Sequence, residues 1–356
     1  MCLTLAETCP PAVLALVAVA MLWVAAASAA AEPELKWTDA QTLTVEGKGW
    51  TDTEAFYDRL PAKAKGSVPD SVWGLSKHSA GLCVRLATPS SVVHVRWEVT
   101  SAGLAMPHMP ATGVSGVDLY ARDAAGWRFV GNGRPAEVTN EATFYPGQAS
   151  ELCLYLPLYN GTKSVQIGVP AGQGISPAPA RGKPVVFYGT SITQGGCASR
   201  PGMAYTNIVG RKLELPTVNL GFSRSGQSEP ALAELLAEIE AAAYVLDPLR
   251  NMSADMVWER IPPFVRLLRT VRPDTPIVLA EDCTIRNEVP TPKGKLLRDI
   301  YAQLQREGIG NLHFVSAEGM MGPDDEGTVD GCHPTDLGFM YQAQVFAAAL
   351  RPILGL

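Results

Sequence analysis

Residues 184–196 read Pro-Val-Val-Phe-Tyr-Gly-Thr-Ser-Ile-Thr-Gln-Gly-Gly, an apolar run that leads straight into a serine on a glycine-rich turn. A short apolar run next to turn residues is typical of a strand that is buried on both faces of a parallel sheet. Because such sheets bind ligands at the carboxyl ends of their strands, Ser191 stands where a functional residue is expected.

From this run to the C-terminus, strand-like segments alternate with helical stripes. We expect strands at 184–189, 217–221, 244–247, 276–280 and 312–316. Between them, apolar residues recur at helical spacing, and Ser228 is the predicted N-cap of the helix that begins near Pro230. Repeated strand-helix units predict a parallel sheet with helices on both faces, a three-layer α/β/α domain over 177–356.

The preceding part, residues 32–176, has the pattern of an all-β domain. Apolar and other residues alternate, as at Leu82, Val84 and Leu86. Turn-rich segments separate these runs, and no helical stripe is evident between residues 70 and 170. We therefore predict a β-sandwich of the jelly-roll kind, joined to the α/β domain by a Gly/Pro/Ala-rich linker at 171–183.

The first 31 residues have the composition of an export leader. Residues 10–31 are apolar throughout, and Ala27-Ser28-Ala29 fits the small-x-small pattern of signal-peptide cleavage. The segment before them lacks the Lys or Arg that is usual in a signal peptide. Because the apolar run is nearly long enough to span a membrane, an uncleaved membrane anchor is the alternative. A cleaved signal peptide over 1–31 predicts a secreted or periplasmic protein.

Composition limits the remaining classes. With 47% apolar and 18% charged residues, the chain is globular, and its net charge of −6 with scattered Lys and Arg argues against nucleic acid as a partner. Five cysteines lie outside the predicted leader, so at least one thiol is unpaired within the chain, and their spacing matches no metal site. Cys197 follows Ser191 closely, and Cys332 lies next to His333. The two cysteines either form a disulfide or remain two small buried thiols.

The segment Asp330-Gly331-Cys332-His333-Pro334 supplies what Ser191 lacks. A serine hydroxyl is a weak nucleophile unless a base takes its proton and a third group orients that base. His333 is the best candidate for the base, and Asp330 would orient it from the side facing away from Ser191. Together the three residues predict an acyl-ester hydrolase. The other histidines lie in the β-rich part or in the last predicted strand: His78, His94, His108 and His313.

Acyl transfer also needs N–H donors for the negative oxygen of the transition state. The backbone N–H of Ser191 is one candidate donor. Further donors are expected from the ends of the second and third predicted strands, where the side chain of Asn251 offers an N–H. These donors would form the oxyanion hole.

The second half of the chain resembles the SGNH (GDSL-like) hydrolase family, over residues ~184–350. The serine block of the family matches Gly189-Thr190-Ser191-Ile192, with Thr190 where the commoner motif has Asp, and its Asp-x-x-His block matches Asp330 to His333. Its asparagine block matches loosely at Asn251. The block that normally supplies a glycine donor falls on Ser223-Arg224, so the resemblance implies the backbone N–H of Arg224 as an oxyanion donor, with Gly226 as the alternative.

The first half resembles the β-domain that precedes a subgroup of these esterases, because Gly116-Val117-Asp118-Leu119-Tyr120 matches its G-x-D-L-Y signature. A long turn at 106–111 comes before the signature, and loops on a rigid sandwich commonly carry recognition residues. We expect His108 to reach the cleft, and we name His108 and Gln194 as candidate substrate contacts. The alternative is a β-domain that only stabilises its neighbour.

The resemblance implies a serine esterase that acts without metal or cofactor, and the predicted leader makes it an exported one. Its expected substrate is a small-molecule or polysaccharide ester, such as an O-acyl or O-acetyl carbohydrate. Two alternatives remain open: an acyltransferase with the same residues, and a catalytically inert carbohydrate-binding protein. The bulky Arg224 in the oxyanion block is the argument for the inert protein. A membrane is expected as a partner only through an uncleaved leader.

Overall fold

Two antiparallel sheets and one parallel sheet organise residues 34–283 and 289–356, the part of the chain described by a computed structural model. The predicted leader at 1–31 lies outside the described residues. Residues Lys36–Leu356 form one compact unit, so the boundary between 176 and 177 stays a prediction. None of the helices among the described residues is long and apolar enough to cross a bilayer.

The β-rich part contains a 4-stranded sheet of order β1-β9-β4-β7 and a 6-stranded sheet of order β10-β3-β8-β5-β6, with β2 beside β3. Its strands are β1 (Leu35–Asp39), β2 (Thr44–Glu46), β3 (Cys83–Ala87), β4 (Val93–Val99), β5 (Val117–Asp123), β6 (Gly126–Gly133), β7 (Thr139–Phe144), β8 (Glu151–Tyr155), β9 (Thr162–Pro170) and β10 (Ser176–Pro177).

Alternation along these strands builds the sandwich core. On β4, Val93, Val95 and Trp97 are buried, whereas the residues between them are partly exposed. They share one apolar cluster with Val84 on β3 and Leu119 on β5, which belong to the other sheet. The two sheets therefore pack face to face, as the period of two predicts.

Two short helices correct the expectation of a helix-free β part. Helix α1 spans Asp70–Ser76, and α2 spans Ala111–Val114. Each follows a proline and runs for two turns or fewer, which is too short to show a repeating apolar stripe.

The parallel sheet follows, in the order β12-β11-β13-β14-β15. Its strands are β11 (Val185–Gly189), β12 (Thr217–Gly221), β13 (Ala243–Asp247), β14 (Ile277–Ala280) and β15 (Leu312–Val315). The helices of this part are α3 (Ser191–Gln194), α4 (Tyr205–Leu213), α5 (Pro230–Glu238), α6 (Ala254–Val271), α7 (Pro292–Arg306) and α8 (Asp336–Leu354). All five strands lie within a residue of their predicted bounds.

Both faces of this sheet are covered. Val186 and Tyr188 of β11 pack with residues of α5, α6 and α7, whereas Val185 and Phe187 pack with residues of α4 and α8. The three-layer α/β/α prediction is confirmed. The predicted N-cap at Ser228 is wrong: Glu229 holds that position, and Ser228 has a φ of 56°.

The strand order creates a crevice where Ser191 lies. β11 pairs with β12 on one side and with β13 on the other. The connection from β11 therefore runs to one side of this strand, and the connection from β12 to β13 crosses to its other side. A crevice opens at the carboxyl end of such a strand. Ser191 begins the one-turn helix α3 that follows β11.

Asp118, from the G-x-D-L-Y signature, ties the sandwich to the segment after Ser191. Its fully buried carboxylate accepts hydrogen bonds of 2.8 Å from Arg200 Nη1 and from the N–H of Gly202. The same segment packs on Tyr120, since a Cβ on Gly202 would lie 2.4 Å from the tyrosine ring. Burial raises the pKa of Asp118, although Arg200 opposes this shift.

We expect Asp118→Ala to lower the free energy of unfolding by about 3 kcal/mol, because it strands a partly buried guanidinium and a buried N–H. Asp123→Ala is the matched control on the same strand, since Asp123 makes an exposed ion pair with Arg128 whose loss costs at most about 1 kcal/mol. Urea unfolding measures both. Equal losses would contradict a docking role for Asp118.

Candidate active site

Ser191 is held at the tip of a tight strand-to-helix turn. The Thr190 side chain accepts a hydrogen bond from the N–H of Ile192 at 3.2 Å and caps α3, which Gly195 ends with a φ of 107°. The N–H groups of Gly195 and Gly196 both donate to the Ser191 carbonyl, at 3.0 and 2.7 Å. The backbone of the serine is therefore held from both sides.

Close backbone packing explains the glycines around this turn. A Cβ on Gly189 would lie 2.6 Å from the carbonyl oxygen of Asp247, and one on Gly226 would lie 1.9 Å from the carbonyl oxygen of Gly189. Real Cβ atoms do not approach so closely. The ends of β11 and β13 and the loop after β12 can meet at Ser191 only because these positions lack side chains.

A hydrogen-bonded cluster supports the turn from below. The Asp247 carboxylate accepts from Tyr205 Oη at 2.9 Å and from Thr193 Oγ1 at 3.2 Å. Burial raises the pKa of Asp247 to about 7, against the opposing effect of these two hydrogen bonds. Thr193 also accepts the N–H of Thr190, so the cluster holds the residue next to the serine.

Ser191, His333 and Asp330 form one continuous relay. Ser191 Oγ lies 2.8 Å from His333 Nε2, and His333 Nδ1 lies 2.8 Å from Asp330 Oδ2. The carboxylate contacts the nitrogen that faces away from the serine, as predicted. With this order of contacts, the imidazole can take the hydroxyl proton while the carboxylate stabilises the imidazolium.

Asp330 holds its own loop as well as the ring. Its second oxygen accepts the N–H groups of Cys332 and His333 at 2.9 and 2.7 Å, and Gly331 makes the sharp bend with a φ of 82°. Partial burial opposes ionisation, but the hydrogen bonds from His333 and Cys332 outweigh it and lower the pKa of Asp330 to about 2. The carboxylate is therefore charged at any ordinary pH.

A cleft of about 490 Å³ opens above the relay. Five of the predicted site residues line it: Ser191, His333, Arg224, Asn251 and His108. Asp330 lies behind His333 rather than on the cleft wall. The β-rich part supplies one side of the cleft, through Leu75, His78, Met106, His108 and Tyr159.

The predicted oxyanion donors meet at this cleft. Within the described part of the chain, the N–H groups of Ser191 and Arg224 make no hydrogen bond, and Arg224 has a φ of 61°. Asn251 Nδ2 uses one hydrogen on the carbonyl of Phe222, at 3.2 Å, and has a second. Gly226, the alternative donor, is excluded because its N–H is bonded to the same carbonyl at 3.0 Å.

Gln194 does not contact the cleft, contrary to the expectation for it. Its side chain is fully buried, where Oε1 accepts the N–H of Ser223 and Nε2 lies 3.1 Å from both the Leu158 carbonyl and His78 Nδ1. Gln194 instead joins α3 to the loop that carries Ser223 and to the β-rich part.

His108 reaches the site through the turn before α2. Met106 and Met109 exchange backbone hydrogen bonds across the turn, and the exposed His108 ring lies 6.3 Å from that of His333. Thr112 Oγ1 donates to the carbonyl of Ser199 at 2.6 Å and attaches α2 to the segment after the serine. The loop of the β-domain is thus held over the cleft.

Arg59 was missed by sequence reasoning because it belongs to no motif. It is fully buried and donates hydrogen bonds to four backbone carbonyls, those of Leu75, His78, Asn219 and Gly221, at 2.7–3.0 Å. It thereby joins the end of β12 to the loop that carries His78. Burial, followed by the charge of Arg59, lowers the pKa of His78 to about 4, so this imidazole is neutral.

All cysteines among the described residues are free thiols, so the Cys197–Cys332 disulfide is not formed. Cys332 Sγ accepts a hydrogen bond from Arg250 Nε at 3.1 Å. Burial raises the pKa of Cys197 to about 11, which keeps it a protonated thiol.

Comparison with known protein families finds a match for the β-rich part and another for the α/β part. The GDSL-like lipase/acylhydrolase family model matches residues 182–351, and the model for the N-terminus of SGNH-hydrolase-type esterases matches 35–175. A crystal structure described as a GDSL-like lipase of Bacteroides ovatus is 34% identical, with a TM-score of 0.82 over 90% of this chain and 98% of that chain. The chain belongs to the GDSL-like lipase/acylhydrolase family. It is a hydrolase of ester bonds.

Two more distant structures share the fold of this GDSL-like hydrolase. The salicylyl-acyltransferase SsfX3 of a tetracycline biosynthetic pathway is 18% identical, with a TM-score of 0.73 over 90% of this chain and 98% of its own. An acetyl xylan esterase of the rumen bacterium Butyrivibrio proteoclasticus is 12% identical, with a TM-score of 0.56 over 90% and 99%. No curated protein sequence matches the chain significantly.

We expect Asp330→Ala to lower kcat by about 10³- to 10⁴-fold, less than His333→Ala. Activity should rise with pH as the base loses its proton. Because the pKa of Asp330 is about 2, its carboxylate is ionised at every assay pH, and its own titration does not affect the pH profile. Removing that negative charge destabilises the imidazolium, so the rise of activity with pH, the acid limb of the profile, should move to lower pH.

Initial rates on an acetyl ester between pH 4 and 9 measure this shift, with Asp324→Ala on the neighbouring exposed loop as the control. A limb that stays in place, or moves to higher pH, would show that Asp330 does not act on the base.

Proposed function

We propose that this hydrolase is a serine esterase that removes acyl groups, acetyl above all, from O-acylated carbohydrates. The observation that carries the proposal is the relay of two 2.8 Å contacts from Ser191 through His333 to Asp330, at the floor of an open cleft. The order of the groups supports nucleophilic catalysis by the serine.

In the first half-reaction, Ser191 Oγ attacks the ester carbonyl while His333 Nε2 takes the hydroxyl proton. The tetrahedral intermediate collapses, the bond to the alcohol oxygen breaks, and His333 returns its proton to the leaving sugar hydroxyl. An acyl group then remains on Ser191. In the second half-reaction, water attacks this ester while His333 takes one of its protons. The bond to Ser191 Oγ then breaks, His333 returns the proton to that oxygen, and the carboxylic acid and the free serine are released.

Three donors support the oxyanion in this scheme: the N–H groups of Ser191 and Arg224 and the side chain of Asn251. An N–H without a hydrogen bond in the resting protein needs no rearrangement to bind the developing charge. The same observation weakens the inert-protein alternative. The backbone N–H of Arg224 is as available as that of a glycine, because the arginine side chain is exposed.

Hydrolysis is favoured over acyl transfer by the exposure of the relay. The side chains of His333 and Asp330 are 23% and 46% exposed, so water can reach the base. A transferase has to keep water from its acyl-enzyme. The carbohydrate class is supported by the acetyl xylan esterase that shares this fold.

Export is part of the proposal and is supported by the apolar leader at 10–31 and its small-residue end. N-terminal sequencing of the protein recovered outside the cytoplasm tests it. A chain that still begins at Met1 would contradict cleavage.

We expect Ser191→Ala to lower kcat on 4-nitrophenyl acetate and on acetylated xylo-oligosaccharides by at least about 10³-fold, because it removes the nucleophile. Ser67→Ala, at an exposed serine far from the relay in sequence, is the control and should behave as wild type. Circular dichroism verifies that both variants are folded.

The outcomes separate the alternatives. A wild type no faster than Ser191→Ala on every ester would support the inert carbohydrate-binding protein. Acyl transfer to a sugar acceptor that outpaces release of free acid would support the transferase.

A further inference from the structure

The permanent charges on the cleft wall are all positive. Arg224 and Arg250 line the cleft, and no Asp or Glu is among the described residues that line it. The protein as a whole has a net charge of −6, so this wall departs from the rest of the molecule. A cleft of one sign attracts ligands of the opposite sign and raises their rate of association.

Arg250 is held in place while most of its donors are unused. It lies in the 3-10 turn Leu249–Asn251 that follows β13, and its Nε donates to Cys332 Sγ, next to His333. Among the described residues, its two terminal nitrogens have no hydrogen bond or ion pair. The nearby Asp282 carboxylate instead contacts Thr291 and Lys293.

Arg224 supplies an independent observation. Its backbone has a φ of 61°, a conformation that glycine adopts freely and that an arginine adopts at a cost. Its side chain is exposed at the cleft and, within the part of the chain that the structure describes, pairs with no acid. A residue with a strained backbone and a side chain that pairs with no acid among the described residues, beside Ser191, points to contact with the substrate.

We propose that Arg224 and Arg250 form an anion subsite beside Ser191, and that the substrate is an O-acyl ester of an acidic saccharide, whose carboxylate the guanidinium groups bind. This inference rests on the proposed esterase function and adds the substrate class. Guanidinium groups suit the role because their planar donor pairs match the two oxygens of a carboxylate and stay charged at every relevant pH.

Two esters that differ in one group test the subsite. The methyl glycosides of glucuronic acid, with its carboxylate free, and of glucose, both acetylated at the same ring hydroxyl, differ only in a carboxylate against a hydroxymethyl group. We expect wild type to show a kcat/KM about tenfold or more higher for the glucuronate, as charge-assisted contacts imply. The preference should shrink between about 0.02 and 0.5 M salt, because ions screen the attraction.

Variants assign the preference to the two residues. Arg250→Gln and Arg224→Gln should each lower the ratio of the two kcat/KM values severalfold, and the double variant should bring it close to one. Arg250→Lys keeps the charge but loses the paired donors, so it should retain part of the preference. Arg306→Gln, at the exposed end of α7, is the charge-matched control and should keep the full ratio. Because each ratio is taken within one variant, a general loss of activity cancels.

Equal or lower kcat/KM for the glucuronate in wild type would overturn the subsite, and so would a preference that survives the double variant. A glucoside 6-sulfate acetylated at the same hydroxyl distinguishes the anion, and a preference for the sulfate ester alone would overturn the carboxylate assignment.

If wild type cleaves the glucoside and glucuronate esters equally and Ser191→Ala cleaves neither, only this inference fails. If wild type cleaves no ester faster than Ser191→Ala, the proposed function fails. Should a variant not fold, the wild-type ratio and its salt dependence still decide.

Discussion

The 2.8 Å hydrogen bond between Ser191 Oγ and His333 Nε2 joins two residues that are 142 positions apart, and the architecture around it serves to make that contact. The serine is held by a turn that tolerates no Cβ at Gly189 or Gly226. The histidine is held by Asp330, which binds both the ring and the backbone of the same short loop. Neither group could keep this geometry on a flexible segment, because the contact is directional and depends on where the two backbones place the side chains.

The β-rich part contributes to the site in two separate ways. Asp118 of its signature binds Arg200 and Gly202, in the segment that follows the serine turn. Its loop before α2 places His108 beside His333, so one wall of the cleft comes from residues far from the relay in sequence. The signature therefore has a physical meaning: its aspartate docks the sandwich, and docking completes the cleft. The cleft wall that results carries two arginines and no acid among the described residues, which connects the architecture to the kind of substrate that we propose.

Short-range patterns allowed much of this to be predicted from sequence. The five parallel strands could be located because each is a buried apolar run between turns, and the relay because the Asp-x-x-His spacing places both groups on one loop. Burial of Gln194 could not be foreseen, since its three partners come from separate segments. The contacts of Arg59 could not be predicted either, because its carbonyl partners also come from separate segments. Helix α1 was missed because it is too short to repeat a period. What sequence reasoning lacked was the long-range packing that decides which polar groups face the cleft.

Covalent trapping tests whether Ser191 is a nucleophile that His333 activates. A fluorophosphonate reacts with activated serines, and the adduct can be located by mass spectrometry of peptides. We expect one adduct, on the peptide that contains Ser191, with loss of esterase activity in proportion to labelling and no adduct in His333→Ala. An adduct at another serine, or full esterase activity in a protein that is not labelled at Ser191, would contradict it.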